Sequence, residues 1–253
     1  MKIIFLGTNG WYTTPTGNTA SVLIDSKDQY VVFDAGNGFY KLNEYITEPK
    51  PVSLFISHFH IDHVSGLHTL DKFNFKGGLD VYAGEGRLKD FETLVNPPFT
   101  IGIKPDPKNI AKQKMDIRLH ELTSLQNQPF PMEAIEQHHA FRDHGYRIIL
   151  ENKVIAYSGD CGITDASLKL AKDVDLLIHE CSFKADHELN TWGHVGPLEA
   201  AQLAKDANVK QLILTHFDAS LYTTLDLRKE AEIEAQKIFP NTIAATDDLV
   251  IEL

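Results

Sequence analysis

Cysteine is nearly missing. Cys161 and Cys181 are the only two in 253 residues, too few and too far apart for a disulfide framework, which points to a reducing compartment. No apolar run approaches the roughly 20 residues that a membrane-spanning helix needs, so no membrane partner is expected. The opening Met1-Lys2-Ile3-Ile4-Phe5-Leu6-Gly7 has one basic residue and an apolar stretch too short for an export signal. It reads as a first strand, and the expected location is the cytoplasm. Positive charge is scarce as well. Against 35 acidic residues stand 24 basic ones, a net charge of -11, which repels a polyanion unless a local patch or a bound metal reverses the field. Nucleic acid is therefore not expected as the main partner. Internal repeats and long single-sign charge runs are also absent, which removes solenoids and charged tails from consideration.

What is present is an ordinary globular composition, 43% hydrophobic and 23% charged, at a length that suits one domain spanning residues 1–253. Short β-branched apolar runs alternate with helical periodicity, the pattern of a mixed α/β domain. Strands are expected near Lys2–Leu6, Ala20–Ile24, Tyr30–Phe33, Leu54–Ile56, Val81–Ala83, Asp116–Leu119, Met132–Gln137, Tyr146–Leu150, Val154–Tyr157, Leu176–Ile178, Gln211–Leu214 and Val250–Ile251. One helix should start at Pro197, whose missing N–H costs nothing in a first turn, with Ala200, Leu203, Ala204 and Ala207 on one face. A second should run from about Leu225 to Ile238 and stop before Pro240, with Leu227, Ala231, Ala235 and Ile238 as its stripe. Asn96-Pro97-Pro98, Pro105 and Pro107 mark an irregular middle segment.

Metal-ligand chemistry sits where strands end. Leu54-Phe55-Ile56 leads into Ser57-His58-Phe59-His60-Ile61-Asp62-His63, Val154-Ile155-Ala156-Tyr157 into Ser158-Gly159-Asp160, and Leu212-Ile213-Leu214 into Thr215-His216. Loops at the ends of a rigid sheet can bring such distant residues to one point. Neutral imidazole and carboxylate suit zinc and neighbouring divalent ions, and a carboxylate can bridge two cations through its two oxygens. One histidine alone reads as a solvated or hydrogen-bonded side chain. Three histidines and an aspartate within six positions, followed by Asp160 and His216 at strand ends, read as a site for two divalent metal ions, zinc first, with manganese or iron as alternatives.

The His58-x-His60-x-Asp62-His63 run, with Asp160 and His216, resembles the successive metal motifs of the metallo-β-lactamase superfamily, and the likeness extends from Leu6-Gly7-Thr8 to the C-terminus. It implies an α/β fold, a four-layer αβ/βα sandwich with the metals at one edge of its paired sheets. Within the superfamily, the segment His139-Ala140-Phe141-Arg142-Asp143-His144-Gly145-Tyr146-Arg147 is similar to the ribonuclease Z branch. That likeness selects His139 as a ligand, with the neighbouring His138 as rival should the strand bulge. It further implies that His58, His60 and His139 hold one ion, that Asp62, His63 and His216 hold the other, and that Asp160 bridges them. His179-Glu180-Cys181-Ser182-Phe183 followed by Trp192-Gly193-His194 is similar to the same branch's acid and downstream histidine. A protonated His194 would donate to a leaving alkoxide, with Glu180 orienting its ring. Asp62 has two roles in this reading, as a ligand and as a group orienting the attacking water. Arg142 is assigned either to a substrate phosphate or to solvent, and the two cysteines to buried packing.

Ribonuclease Z enzymes generally carry a long arm that grips tRNA, commonly after the Gly-Tyr-Arg strand, whereas only Glu151-Asn152-Lys153 separates two expected strands here. The expected activity is therefore hydrolysis of a small or cyclic phosphodiester. The alternatives are tRNA 3′ cleavage of the ribonuclease Z type and hydrolysis of a thioester or lactone. A flavodiiron oxidoreductase is disfavoured because His60 stands where that branch typically has glutamate. A homodimer is expected only by analogy.

Overall fold

The computed structural model describes residues 1–103, 115–122, 128–187 and 192–253. Pro105 and Pro107 of the irregular segment lie outside the described residues. Fifteen strands are described: β1 Lys2–Gly7, β2 Asn9–Gly10, β3 Ser21–Asp25, β4 Tyr30–Phe33, β5 Val52–Phe55, β6 Leu79–Ala83, β7 Ile117–Glu121, β8 Met132–Gln137, β9 Asp143–Leu150, β10 Lys153–Tyr157, β11 Leu176–Glu180, β12 Leu212–Thr215, β13 Phe217–Asp218, β14 Thr242–Ala244 and β15 Val250–Glu252. The described α-helices are α1 Leu42–Tyr45, α2 Ile61–Val64, α3 Leu88–Leu94, α4 Asp165–Ala171, α5 Pro197–Asp206 and α6 Leu225–Gln236. None is long and apolar enough to cross a membrane.

Two sheets form, one in the order β15-β1-β3-β4-β5-β6-β7 and the other β14-β12-β11-β10-β9-β8. Period-2 alternation sorts their side chains into layers. Ile3, Phe5, Val31, Phe33 and Phe55 of the first sheet meet Tyr146, Ile148, Ile155, Tyr157, Ile178 and Ile213 of the second in one buried cluster. Their alternates Ile4, Leu6, Val32, Leu54 and Ile56 face outward onto Phe39, Leu42, Leu67 and Phe91. On the other side, Leu177, Leu212 and Leu214 pack against Leu170 of α4, Ala200 and Leu203 of α5, and Ala231 and Ala235 of α6. Strands covered on both faces need unbroken apolar runs, which is why the sequence shows Leu-Ile-Leu and Val-Ile-Ala rather than strict alternation. The result is the expected αβ/βα sandwich.

Several expectations need correction. The helix expected to reach Ile238 ends at Gln236, and Ala207 caps α5 rather than extending it. Thr242–Ala244, for which no strand is expected, pairs in parallel with β12. β2 and β13, two residues each, form a separate ribbon, and α3 and α4 are also additional. The β9–β10 connection is a two-residue hairpin, with Lys153 opposite Leu150 and both Glu151 (φ 49) and Asn152 (φ 61) left-handed. That is the geometry of a tight primed turn.

The parallel strands β4, β5, β10, β11 and β12 run so that their carboxyl ends deliver Asp34, Ser57-His58, Asp160, Glu180 and His216. Ligand sites of open parallel sheets lie at that end. β9 is antiparallel to β10, so it brings the residue at its start, Asp143, to the same edge.

Candidate metal centre

Every residue that the sequence assigns to the metals converges. Donor atoms of His58, His60, His139 and Asp160 lie within 4.8 Å of one another, as do those of Asp62, His63 and His216, and those of Asp160, His194 and His216. Asp160 stands between the first two sets: its carboxylate is 3.8 Å from His58 Nε2, 3.4 Å from His63 Nε2 and 3.3 Å from His216 Nε2. His139 is the neighbour drawn into the cluster, while His138 is exposed. Asp62 and His63 do not sit in a loop as expected but in the single turn of α2, and this turn is too short to leave a periodic signal.

Two carboxylates that the sequence reading left without a role orient the imidazoles. Asp34, fully buried after β4, accepts from Ser57 N–H at 2.7 Å, Ser57 Oγ at 2.8 Å and Tyr157 OH at 2.7 Å, and its Oδ2 lies 2.7 Å from His63 Nδ1. Asp143 does the same for His58, with Oδ2 2.6 Å from its Nδ1. It also accepts from Asp160 N–H at 3.2 Å. Gly159 (φ 63) is required beside it, because a Cβ there would collide with the Asp143 carboxylate. A carboxylate on Nδ1 fixes the tautomer and turns Nε2 toward the centre. The strand-end rule that found Asp160 points equally to Asp34, since Phe33-Asp34-Ala35 follows an apolar strand in the same way. Asp143 lies within the likeness to ribonuclease Z and has no separate signal.

Backbone strain occurs here too. Trp11 (φ 71), Asp34 (φ 57) and His216 (φ 55) are left-handed non-glycine residues, a conformation that is costly and persists where the surroundings enforce it. Trp11 N–H donates to Asp62 Oδ2 at 2.7 Å, and the β2–β13 ribbon sets Asn9-Gly10 beside Phe217-Asp218. Gly10 is needed because a Cβ would come within 2.6 Å of the His216 ring. Ser182 Oγ lies 3.0 Å from His216 Nδ1.

The charge balance suits cations. Burial, then neighbouring His63, pushes His58 down to about 4, and burial with His58 does the same to His60, so both are neutral with a lone pair to offer at neutral pH. Burial opposes charge on His63 and His216, yet Asp160 and the carboxylate of Asp62 outweigh it and raise both. These carboxylates thus call for positive charge among them. Among the described residues, His58 Nε2 and Asp160 Oδ1 are buried without a hydrogen-bond partner, as expected of atoms shaped to meet an ion rather than each other. The donor set and these orphaned atoms fit divalent metal.

Glu180 and His194 stand together at the cluster's flank. His194 Nδ1 is 2.8 Å from Glu180 Oε1, and Glu180 also accepts from Cys161 N–H at 3.2 Å and Ser182 N–H at 2.9 Å. Burial works against the His194 cation, but the Glu180 carboxylate prevails and raises it to about 9. Cys161 and Cys181 are buried, and burial pushes the Cys181 thiol above its usual range. Arg142 Nε donates to Glu136 at 2.9 Å and lines a cleft of about 180 Å³ with His58, His60, Arg87 and Phe141.

If Asp143 acts by orienting His58, Asp143→Asn should keep the fold yet weaken metal affinity by about 10- to 100-fold, the usual effect of losing an outer partner of a ligand histidine. Chelator competition measures this, and unchanged affinity would remove Asp143 from the metal account.

A family model described as a beta-lactamase superfamily domain matches residues 29–217. The chain belongs to that superfamily and is a hydrolase of the metallo-β-lactamase fold. The probable metallo-hydrolase YhfI of Bacillus subtilis (strain 168) is 28% identical over 241 residues, spanning 92% of this chain and 93% of its own length. The crystal structure of YhfI from Bacillus subtilis superimposes with a TM-score of 0.78 at 24% identity over 99% of both chains. Ribonuclease Z of Listeria monocytogenes serotype 4a (strain HCC23) is 28% identical, covering 98% of this chain and 97% of its own. Its alignment spans 314 positions and covers 98% of this chain of 253 residues, so about 66 of its residues have no counterpart here. A diphosphatase from the PhnP family shares the fold at a TM-score of 0.73 and 18% identity, over 100% of this chain and 97% of the other.

Proposed function

We propose that the protein is a binuclear metal-dependent phosphodiesterase acting on a small or cyclic phosphodiester. The observation that carries this reading is His194, whose Nδ1 lies 2.8 Å from the Glu180 carboxylate and which offers a ring nitrogen within 4.8 Å of the Asp160 and His216 donor atoms. Thioesters, which expel a weakly basic thiolate, have less need of a strong proton donor than a diester expelling an alkoxide.

His58, His60 and His139 would hold one ion and Asp62, His63 and His216 the other, with Asp160 between them. Divalent ions there, zinc first and manganese or iron as alternatives, would supply Lewis-acid charge and acidify a nucleophilic water. Asp62 stays ionised: burial opposes this, but the His63 and His216 imidazoles hold its carboxyl well below the usual range. It can therefore accept a hydrogen bond from the attacking water and aim it. His194 then passes the proton on Nε2 to the departing oxygen, and Glu180 keeps Nδ1 engaged so that the ring does not turn.

The size of the substrate is supported by three features. The β9–β10 hairpin is closed in two residues, about 66 aligned positions of ribonuclease Z are missing, and the net charge is -11. Holding a folded polyanion takes many spread phosphate contacts. The second reading is cleavage at tRNA 3′ ends, favoured by the near full-length similarity to ribonuclease Z. Turnover by the metal-loaded protein on bis(p-nitrophenyl) phosphate, cyclic nucleotides, a lactone, a thioester and precursor tRNA separates these readings. Metal-dependent hydrolysis of the small diesters with little RNA processing is expected. Efficient site-specific tRNA cleavage at moderate salt would sink the small-substrate reading. The cytoplasm remains the expected site of action.

A further inference from the structure

Among the described large apolar side chains, five are between 63% and 68% exposed: Trp11, Ile61, Phe99, Phe141 and Trp192. Four of the five are tied to the metal centre. Trp11 is anchored by its own N–H to Asp62, and Tyr12 packs edge-on against its ring with centroids 5.2 Å apart. Ile61 lies between His60 and Asp62 in sequence. The Phe141 ring meets the His60 ring edge to face, 4.9 Å between centroids. Trp192 C=O accepts from Ala140 N–H at 3.3 Å, next to His139 and two residues before His194. These two tryptophans are the only ones in the chain.

Scattered exposed apolar residues are normal, whereas a concentration of them marks a binding surface. A protein partner seated on these side chains would close the neighbouring centre. A small ligand would instead be held by it. Three of the four are aromatic, and an aromatic face offers most to another flat π-system, where stacking is sequence-tolerant and strong. The nearby guanidinium groups add little for a chain of phosphates: Arg142 is engaged by Glu136 and Arg87 by Asp90 at 3.1 Å. The surroundings thus offer ring recognition beside a single phosphate position.

We propose that Trp11, Phe141 and Trp192 form a stacking rim that selects a nucleoside-derived phosphodiester, with one planar base lying outside the metal centre and one phosphate within it. This rests on the phosphodiesterase reading of the same site. It separates nucleoside substrates from cyclic sugar phosphates, which present no flat aromatic ring to stack.

The test uses metal-loaded protein and two readouts. In the first, kcat/KM is measured on adenosine 2′,3′-cyclic phosphate and on glycerol 1,2-cyclic phosphate for the wild type and for Trp192→Leu, Phe141→Leu and Trp11→Leu. Leucine keeps the apolar character and removes the flat face. The ratio of the two kcat/KM values should favour the nucleoside in the wild type and fall by about 5- to 100-fold in the one or two variants whose ring meets a face of the base. In the second, intrinsic tryptophan fluorescence is titrated with AMP and with ribose 5-phosphate. Saturable quenching by AMP alone is expected, diminished in Trp192→Leu. A ratio unaltered in all three variants, or equal quenching by the two phosphates, overturns the proposal while leaving phosphodiester hydrolysis standing. A change in oligomeric state in the variants with no change in the ratio overturns it in favour of a second copy docking on the rim. Selective AMP quenching in a protein that hydrolyses no phosphodiester supports the rim and overturns the activity instead.

Discussion

Asp160→Ala is expected to lose both metal ions and to lower phosphodiester hydrolysis by more than about 10³-fold, because Lewis-acid charge and acidified water leave together. The physical ground is the position of one carboxylate within 3.8 Å of His58, His63 and His216, which no other acid in the site matches. Burial resists its ionisation, but His216 and His63 hold its carboxyl well below the usual range. Asparagine at the same position keeps the shape and removes the charge, so Asp160→Asn should also fail to retain both ions. Elemental analysis against protein concentration, with circular dichroism as a check on folding, decides the matter. A variant that keeps two ions per chain would show that Asp160 does not bridge.

His194→Ala is expected to keep the metals and to slow substrates with poor alkoxide leaving groups by about 10²- to 10⁴-fold, the span of a positioned general acid. Activated aryl diesters should suffer much less, because their leaving groups depart without a proton. The pH profile supplies a second check. His194 is raised to about 9 in the fold, so it is charged at neutral pH and loses its proton as pH climbs through that value. Activity on alkyl diesters should therefore fall at high pH. Glu180→Gln removes the charge that raises His194 and should move this falling limb to lower pH. Equal losses on aryl and alkyl substrates, or loss of metal from His194→Ala, would show that His194 is not chiefly a proton donor.

Most of the candidate metal residues were legible because they follow an apolar strand, and a strand buried on both faces leaves an unmistakable run in the sequence. Leu54–Ile56 before His58 and Leu212–Leu214 before His216 are of this kind, and the structure brings their ends together. His139 follows the half-exposed Met132–Gln137 and was selected by the likeness to ribonuclease Z. The outer partners were harder. Asp34 follows its strand as Asp160 does, but no likeness to a metal motif was read at that position, so it went unassigned. Asp143 starts β9, and only the antiparallel pairing with β10 shows that a strand's start, not its end, reaches the site. The strand Thr242–Ala244 has three residues and lies close after Pro240, too little for alternation to register. The left-handed backbone of Trp11 and the close approach of Gly10 to His216 come from the β2–β13 ribbon, which pairs residues more than 200 positions apart. No local pattern encodes such a contact.

Titration of the metal-free protein with zinc or manganese, following bound metal and hydrolysis of bis(p-nitrophenyl) phosphate in the same samples, tests the two-ion phosphodiesterase most directly. Activity that rises to a break at two ions per chain, and that a chelator abolishes, is the predicted result. Full activity at one ion per chain, or two bound ions with no diester hydrolysis, would contradict it.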